Sequence, residues 1–533
     1  MRHANWLFCA AWLCACAPQA AVPVQAPPTE RSAQPSNWKQ VEPAKQKQSL
    51  VPEPAGLPAA DASCQQFAEP PSTSCSKPAS ELDALAQAMA SDGPRERDRM
   101  LSCLESSSAF PPGVVRALRA ELVPECADVL ALPLLEPRRA DLARNIEDTL
   151  IALAASGRLR RLVQKAPELS PPFDRARFMD FFQTTLKPWI VTQAAAIHDL
   201  AAVGPRLSPY AKGVVAVEAG LADMRFVAVV RQVPLPKEMN DDPEIRDAYY
   251  AALDEALEPR KARGRDAALV GLRELASEGI VFDPRVQRAR TLLSEVYSGR
   301  RIDALDKLLL PELAPAATDT SERSLAARLP SFYAGVLLQS TTLDAPLLRA
   351  LMERGLPKVF VARLTPEKLD EASKALLARA WLDRGRVYFR AEDFASSAKL
   401  SAADKPTPEQ ALDHALASAL ENGPRDGSEL LLRGPQSQPF TAQVAELDQL
   451  ASHKSPVAPL AAFDSAYLLG LVPPQNDPKF WDALAQRFES AARQLTSPTQ
   501  KKNAHEAGSA ARDTAKALRT ATAHSAMAPS SAR

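Results

Sequence analysis

Asp477-Pro478-Lys479-Phe480-Trp481-Asp482-Ala483-Leu484-Ala485-Gln486-Arg487-Phe488-Glu489-Ser490-Ala491-Ala492-Arg493-Gln494-Leu495 announces a helix in its first two residues. An aspartate oxygen can accept from a free N–H of the first turn, and the proline behind it needs no donor and already holds a helical φ. Trp481, Leu484, Phe488, Ala492 and Leu495 then recur at three- and four-residue steps, which places them on one face. The same punctuation, a capping residue followed by proline, recurs at Ser170-Pro171, Ser208-Pro209, Asp242-Pro243, Asp283-Pro284, Thr365-Pro366, Thr407-Pro408 and Ser497-Pro498. Glu244, Glu367 and Glu409 follow three of these starts and suit the positive end of the helix dipole. This also accounts for paired acids such as Asp241-Asp242 as caps. Gly279, Gly299, Gly355 and Gly423 read as helix closers. Leu369, Ala372, Leu376 and Ala380 form a second predicted apolar face. Residues 214–230 are rich in β-branched side chains, but they follow Ser208-Pro209 and run too long for a strand, so a buried helix is expected there. No stretch shows the alternation of a strand, and the expected fold class is all-α.

Short helices joined by tight turns predict antiparallel hairpins, and many hairpins predict an irregular α-solenoid. Trp381, Gly385 and Tyr388 stand at the spacing W-x3-G-x2-Y, with Asp393-Phe394 and Ala398 after them. This segment of about 25 residues resembles the tetratricopeptide repeat (TPR), in which small and large residues interlock two helices per unit. It departs from that pattern in two places: the alanine of the second helix is displaced by one residue, and the closing proline comes early, at Pro406. Residues 267–297, with Gly279, Asp283-Pro284 and Ala289, are a weaker second candidate, and no strict period of about 34 residues runs through the chain. The resemblance implies that Trp381, Gly385, Tyr388 and Phe394 are packing residues. It also implies that binding uses a concave face, through side chains the repeat leaves open.

At the other end, Arg2 precedes the apolar run Trp6-Leu7-Phe8-Cys9-Ala10-Ala11-Trp12, which ends in Leu13-Cys14-Ala15-Cys16. The run is shorter than the roughly 20 residues a membrane span needs and has the layout of an export signal. The final tetrapeptide resembles the lipobox of bacterial lipoproteins. The resemblance implies that Cys16 is acylated and becomes the mature N-terminus. Ala17, in place of an aspartate, then leans toward the outer membrane, with the protein facing the periplasm. The expected organisation is a signal at residues 1–15, a disordered Pro/Ala-rich tether at 16–60, a disulfide-stapled helical segment at 61–135, a helical repeat region at 136–345, a TPR-like region at 346–498 and a basic Ala-rich tail at 499–533. The tether holds Pro23, Pro27, Pro28, Pro35, Pro43, Pro52, Pro54 and Pro58 and too few large apolar residues to offset its ordering entropy. The tail holds six Lys or Arg against two Asp or Glu, with a weak helix expected to about residue 523 and frayed residues beyond.

Composition bounds the rest. The chain of 533 residues carries 64 basic and 64 acidic side chains, so there is no electrostatic footprint for nucleic acid. No later run is long and apolar enough to suggest a transmembrane helix. Of seven cysteines, Cys9 and Cys14 leave with the signal and Cys16 takes the lipid, which leaves Cys64, Cys75, Cys103 and Cys126. An even set in an exported chain reads as two disulfides. Three pairings are open, and Cys64–Cys75 with Cys103–Cys126 is the one expected.

Motifs for chemistry are absent: no H-E-x-x-H, no G-x-S-x-G, no Walker A and no G-x-G-x-x-G. The histidines, His3, His198, His414, His453, His505 and His524, form no close pair, and His198 before Asp199 reads as an ordinary helical histidine. Arg260, Lys261, Arg263 and Arg265 surround Gly264-Arg265-Asp266, which reads as a helix junction with a solvated basic end; an acidic partner or lipid headgroups are the other reading. No cofactor and no metal are expected. The function expected is a lipid-anchored envelope scaffold or assembly factor that binds another envelope protein or peptide and performs no catalysis. The alternative is a cell-wall hydrolase similar to the lytic transglycosylases, which needs a glutamate in a cleft.

Overall fold

The computed structural model describes residues 50–68, 75, 79–164, 166–296, 302–422 and 440–527. The expected signal, residues 16–49 of the expected tether with Cys16, Gly299, Gly423 and residues 528–533 lie outside them. Among the described residues every regular element is a helix and there is no strand. The start signals account for much of this. Helices begin at Pro209, Pro243, Pro284, Pro408, Pro478 and Pro498. Asp477 Oδ1 accepts from the Phe480 N–H at 2.9 Å, and Thr407 with Gln410 forms a reciprocal capping box. Asp242 caps its helix too, accepting from the Glu244 N–H at 3.0 Å.

Two starts fall elsewhere. Ser170-Pro171 opens no helix; Asp174 caps the Arg175–Phe181 helix instead. Thr365-Pro366 opens a single 3-10 turn, and Asp370 caps the Glu371–Tyr388 helix by accepting from Ser373. The predicted face there is displaced as a result: Ala372 is exposed, while Ser373, Leu377, Ala378, Leu382 and Gly385 are buried.

The chain divides into two compact units, Met1–Ser72 with Arg116–Leu269, and Thr73–Val115 with Val270–Arg533. The segment 61–135, expected to be one stapled piece, is shared between them. So are its cystines. The pairs are Cys64–Cys126 and Cys75–Cys103, with Cα atoms 5.2 and 5.5 Å apart, and not the pairs of sequence neighbours. The reason is packing across the chain. The Ala62–Ala68 helix lies on the Ala127–Leu135 helix and on the turn Pro124–Cys126, so Cys64 faces Cys126 with both buried.

In the first unit, residues 214–230 lie, as expected, in a buried helix, which runs Pro209–Gln232. It packs on the Arg144–Gln164 and Lys187–Val203 helices. Gly264 is not a junction: it lies inside the continuous helix Pro243–Ser277. It is there because two helices touch backbone to backbone. A Cβ on Gly220 would stand 2.7 Å from the Gly264 carbonyl oxygen, and one on Gly264 would stand 3.1 Å from Asp223 Cβ. Buried ion pairs fix the register of this layer. Arg263 holds Asp223 through bonds of 2.7 and 2.6 Å, and Arg260 approaches the same carboxylate at 3.3 Å while covering the Phe226 ring at 3.8 Å. Arg161 holds Asp128 through two bonds of 2.6 Å, and Arg160 holds Glu218 at 2.5 Å. Such pairs add little net stability, but stranding one partner costs several kcal/mol. Arg158 donates to the carbonyls of Val51 and Pro52 at 3.0 Å each, and Val51 is fully buried. The tether expected through residue 60 is therefore docked from residue 51 onward.

In the second unit, two runs of helices pack each on its successor. Glu371–Tyr388 lies on Ala391–Ser401, which lies on Pro408–Glu421. Ala445–Ser452 lies on Ala458–Leu471, then Pro478–Gln494, then Pro498–Met527. Leu484, Phe488, Ala492 and Leu495 are buried as read, with Trp481 half-buried. Of the expected tail, residues 499–527 belong to one 30-residue helix, Pro498–Met527, that presents Ala504, Gly508, Ala511 and Ala515 to its neighbour, with Gly508 in reach of Phe488 Cβ.

Asp464 is fully buried in this core. Its Oδ1 accepts from the Leu309 N–H at 2.7 Å and its Oδ2 has no partner. Burial pushes this carboxyl well above the usual carboxylate range, more than the Leu309 bond and the cationic Arg386 lower it. A raised folded-state pKa stabilises the fold at low pH and loses that contribution as pH rises from about 4 upward. Asp464→Asn keeps an acceptor for Leu309 without the titration. Its melting temperature relative to wild type is expected to improve between pH 4.5 and pH 7.5; an unchanged difference would show that Asp464 ionises freely.

Candidate binding cleft

The residues that carry the repeat resemblance meet as a small-into-large interlock. A Cβ on Gly385 would stand 2.6 Å from Phe394 Cε1, so the Phe394 ring occupies the space that only glycine leaves. Arg384 clamps Asp393 through bonds of 2.8 and 2.7 Å and covers the Trp381 ring at 4.2 Å. Tyr388 donates its hydroxyl to the Ile280 carbonyl at 2.6 Å, and burial holds the phenol well above its ordinary range. These residues therefore brace a helical hairpin.

They also set the wall of a cleft. Asp383, Arg386 and Val387, on the same helix, line a cavity of about 470 Å³ together with Val281, Phe282, Asp283, Pro284, Gln287, Arg290, Asp306 and Arg354. Its floor is made rigid by two loops stitched together. The Val281 and Phe282 N–H groups donate to the Arg354 carbonyl at 3.2 and 3.0 Å, the Ser331 hydroxyl donates to the same oxygen at 2.9 Å, and Lys358 N–H donates to the Glu278 carbonyl at 3.1 Å. The loops approach so closely because both carry glycine in the left-handed region, Gly279 at φ +78° and Gly355 at φ +118°. A Cβ on Gly279 would fall inside the shell of the Leu356 carbonyl, 2.8 Å from its carbon.

The charges of the cleft are mostly satisfied. Arg290 binds Asp306 through bonds of 2.9 and 2.7 Å. Arg386 donates to the carbonyls of Leu305, Asp306 and Leu308 at 3.1, 3.3 and 3.2 Å and lies 3.4 Å from Asp383. Asp283 accepts from the Arg285 N–H at 2.8 Å. The half-buried guanidinium of Arg354 has no partner among the described residues, and beside it the Phe282 side chain is 47 % exposed. Sequence reading missed both. Phe282 sat in view between the closer Gly279 and the start Asp283-Pro284, but nothing local says whether a loop aromatic faces in or out.

Other sequence candidates resolve differently. His198 and Asp199 are both exposed neighbours on one helix. His414 and His453 line a second cavity of about 480 Å³ with Glu446 and Gln449. His414 Nδ1 lies 2.9 Å from the Ala398 carbonyl oxygen and His453 Nδ1 lies 2.6 Å from the Gln449 carbonyl oxygen. Among the described residues no group of three or more His, Cys, Asp or Glu is gathered as a metal would require. The buried Glu147 and Glu218 are taken up by ion pairs with Arg138 and Arg160. Each member of the basic cluster meets a carboxylate within the first unit: Arg260 and Arg263 share Asp223, Lys261 lies 3.6 Å from Asp254, and Arg265 lies 2.7 Å from Asp266. No described helix is long and apolar enough to cross a membrane. No family model, no curated protein and no solved structure matches this chain.

Proposed function

We propose that this chain is an envelope lipoprotein, acylated at Cys16, whose helical body is an irregular α-solenoid with one TPR-like hairpin at residues 371–401. It works as a scaffold or assembly factor on the periplasmic side of the outer membrane, without catalysis. The observation that supports the scaffold half is the sequential packing within residues 371–421 and 445–527, in which each described helix rests on its successor and the Gly385–Phe394 interlock has the character of a repeat hairpin. Assemblies built this way trade a deep core for lateral surface, and lateral surface is what partners bind. The anchor half rests on Leu13-Cys14-Ala15-Cys16.

Metabolic labelling with a fatty-acid analogue tests the anchor. The wild type is expected to take the label and to sediment with membranes, and Cys16→Ser to lose both; equal labelling of the two would end the anchor reading. Crosslinked capture from detergent-solubilised envelopes tests the scaffold. Recovery of a defined envelope protein in stoichiometric amount supports it, and a bare bait defeats it.

A further inference from the structure

We propose that residues 302–311 are a tethered peptide ligand lying in a groove of the second unit, and that the groove takes a partner segment of the form Leu-Asp/Glu-x-Leu-Leu when this strap leaves. This rests on the scaffold reading and gives the scaffold a ligand class and an autoinhibitory contact. The strap makes a single 3-10 turn, Ala304–Lys307, and from Leu308 on it is in no helix. Beyond the turn's own bonds, its backbone is held by side chains from elsewhere in the unit. The Tyr467 hydroxyl donates to the Ala304 carbonyl at 2.8 Å, and Arg386 donates to the carbonyls of Leu305, Asp306 and Leu308. Asp464 accepts from the Leu309 N–H at 2.7 Å, Gln500 donates to the Leu310 carbonyl at 3.2 Å, and Arg379 donates to the Pro311 carbonyl at 3.0 Å.

Core segments mostly close their backbone bonds inside helices or strands. Side chains that hold successive backbone groups, with pockets for alternate side chains, are the device by which a protein seats a foreign peptide. The pockets are present as well. Leu305, Leu308, Leu309 and Leu310 are buried in one apolar cluster with Leu382, Leu412 and Phe463. The acid of the motif is read by a buried guanidinium: Arg290 holds the Asp306 carboxylate at 2.9 and 2.7 Å. Asp464 Oδ2 is buried without a partner, so the seat carries acceptor capacity that the strap does not use.

Hydrogen exchange on the full-length wild type, read by mass spectrometry, is the first test. The Leu309 amide should exchange faster than the interior amides of Glu371–Tyr388 and Ala458–Leu471, because the strap leaves while its seat stays folded. Exchange of all three at one rate would overturn the proposal. Binding in trans is the second test. A fluorescein-labelled peptide of residues 302–315 should bind the wild type weakly, since the tethered strap competes at an effective concentration on the order of mM. Asp306→Arg in the protein sets a like charge against Arg290 and should tighten binding of that peptide about tenfold; Asp306→Asn, a milder change, should tighten it about threefold. The Asp306 side chain is exposed, and melting curves matching the wild type will show that the variants fold. A peptide that itself carries Asp306→Arg should bind the variants about tenfold more weakly than the native peptide, and one with Leu308→Ser and Leu309→Ser should not bind. No binding of the native peptide, or equal binding to wild type and both variants, would also overturn the proposal. Envelope capture that still succeeds with the wild-type bait would then show that the scaffold reading survives without this groove.

Discussion

Gly279→Ala is expected to destabilise the second unit by about 3 kcal/mol, the combined order of a strained left-handed residue and an overpacked contact. The sequence presents Gly279 as a helix closer, and at most closers alanine is tolerated at modest cost. Here the residue has two tasks. Its φ of +78° ends the turn, and its missing side chain lets Leu356 pass over it. The obstruction is backbone, so no rotamer change can relieve it. The loops must part, and the bonds from Val281, Phe282 and Lys358 part with them. Urea unfolding followed by far-ultraviolet circular dichroism measures the loss, and a change below about 1 kcal/mol would mean that the loops separate freely.

Removing the Cys64–Cys126 link is the second large effect. The bond closes a loop of 62 residues, for which chain entropy predicts a stabilisation of about 4 kcal/mol. Cys64→Ala with Cys126→Ala should lower the stability of the first unit by that order, and the buried positions accept alanine without stranding a polar atom. The two cystines should also differ in access. Cys64 and Cys126 are 2 % and 3 % exposed, whereas Cys75 is exposed, so increasing dithiothreitol should free Cys75 and Cys103 first. Alkylation and mass spectrometry read the order, and simultaneous release would show that burial does not shield the Cys64–Cys126 bond.

Helix starts were legible where the cap acts on its own first turn, as at Asp477, Thr407 and Asp242. They failed where a better cap stood a few residues on. Asp174 outcompetes Ser170, and Asp370 outcompetes Thr365, which shifted the buried face of the following helix. Contacts made across the chain were not legible at all. Gly264 looks like a break until Gly220 is found against it. Neighbouring cysteines look like partners until the Ala62–Ala68 helix is found on Pro124–Cys126. The cleft was half visible: the hairpin that forms its wall was quoted from the sequence, but Phe282 and Arg354, over seventy residues apart, meet only through folded backbone.

The docking of residues 51 and 52 on Arg158 has a mechanical consequence. Traction applied to the chain upstream of residue 50 reaches the Arg158 guanidinium first and, if that yields, the sulfur bridge at Cys64. The bridge shunts the remaining force straight to Cys126. Residues 65 to 125, including the stretch Thr73–Val115 lent to the second unit, are thereby spared the pull.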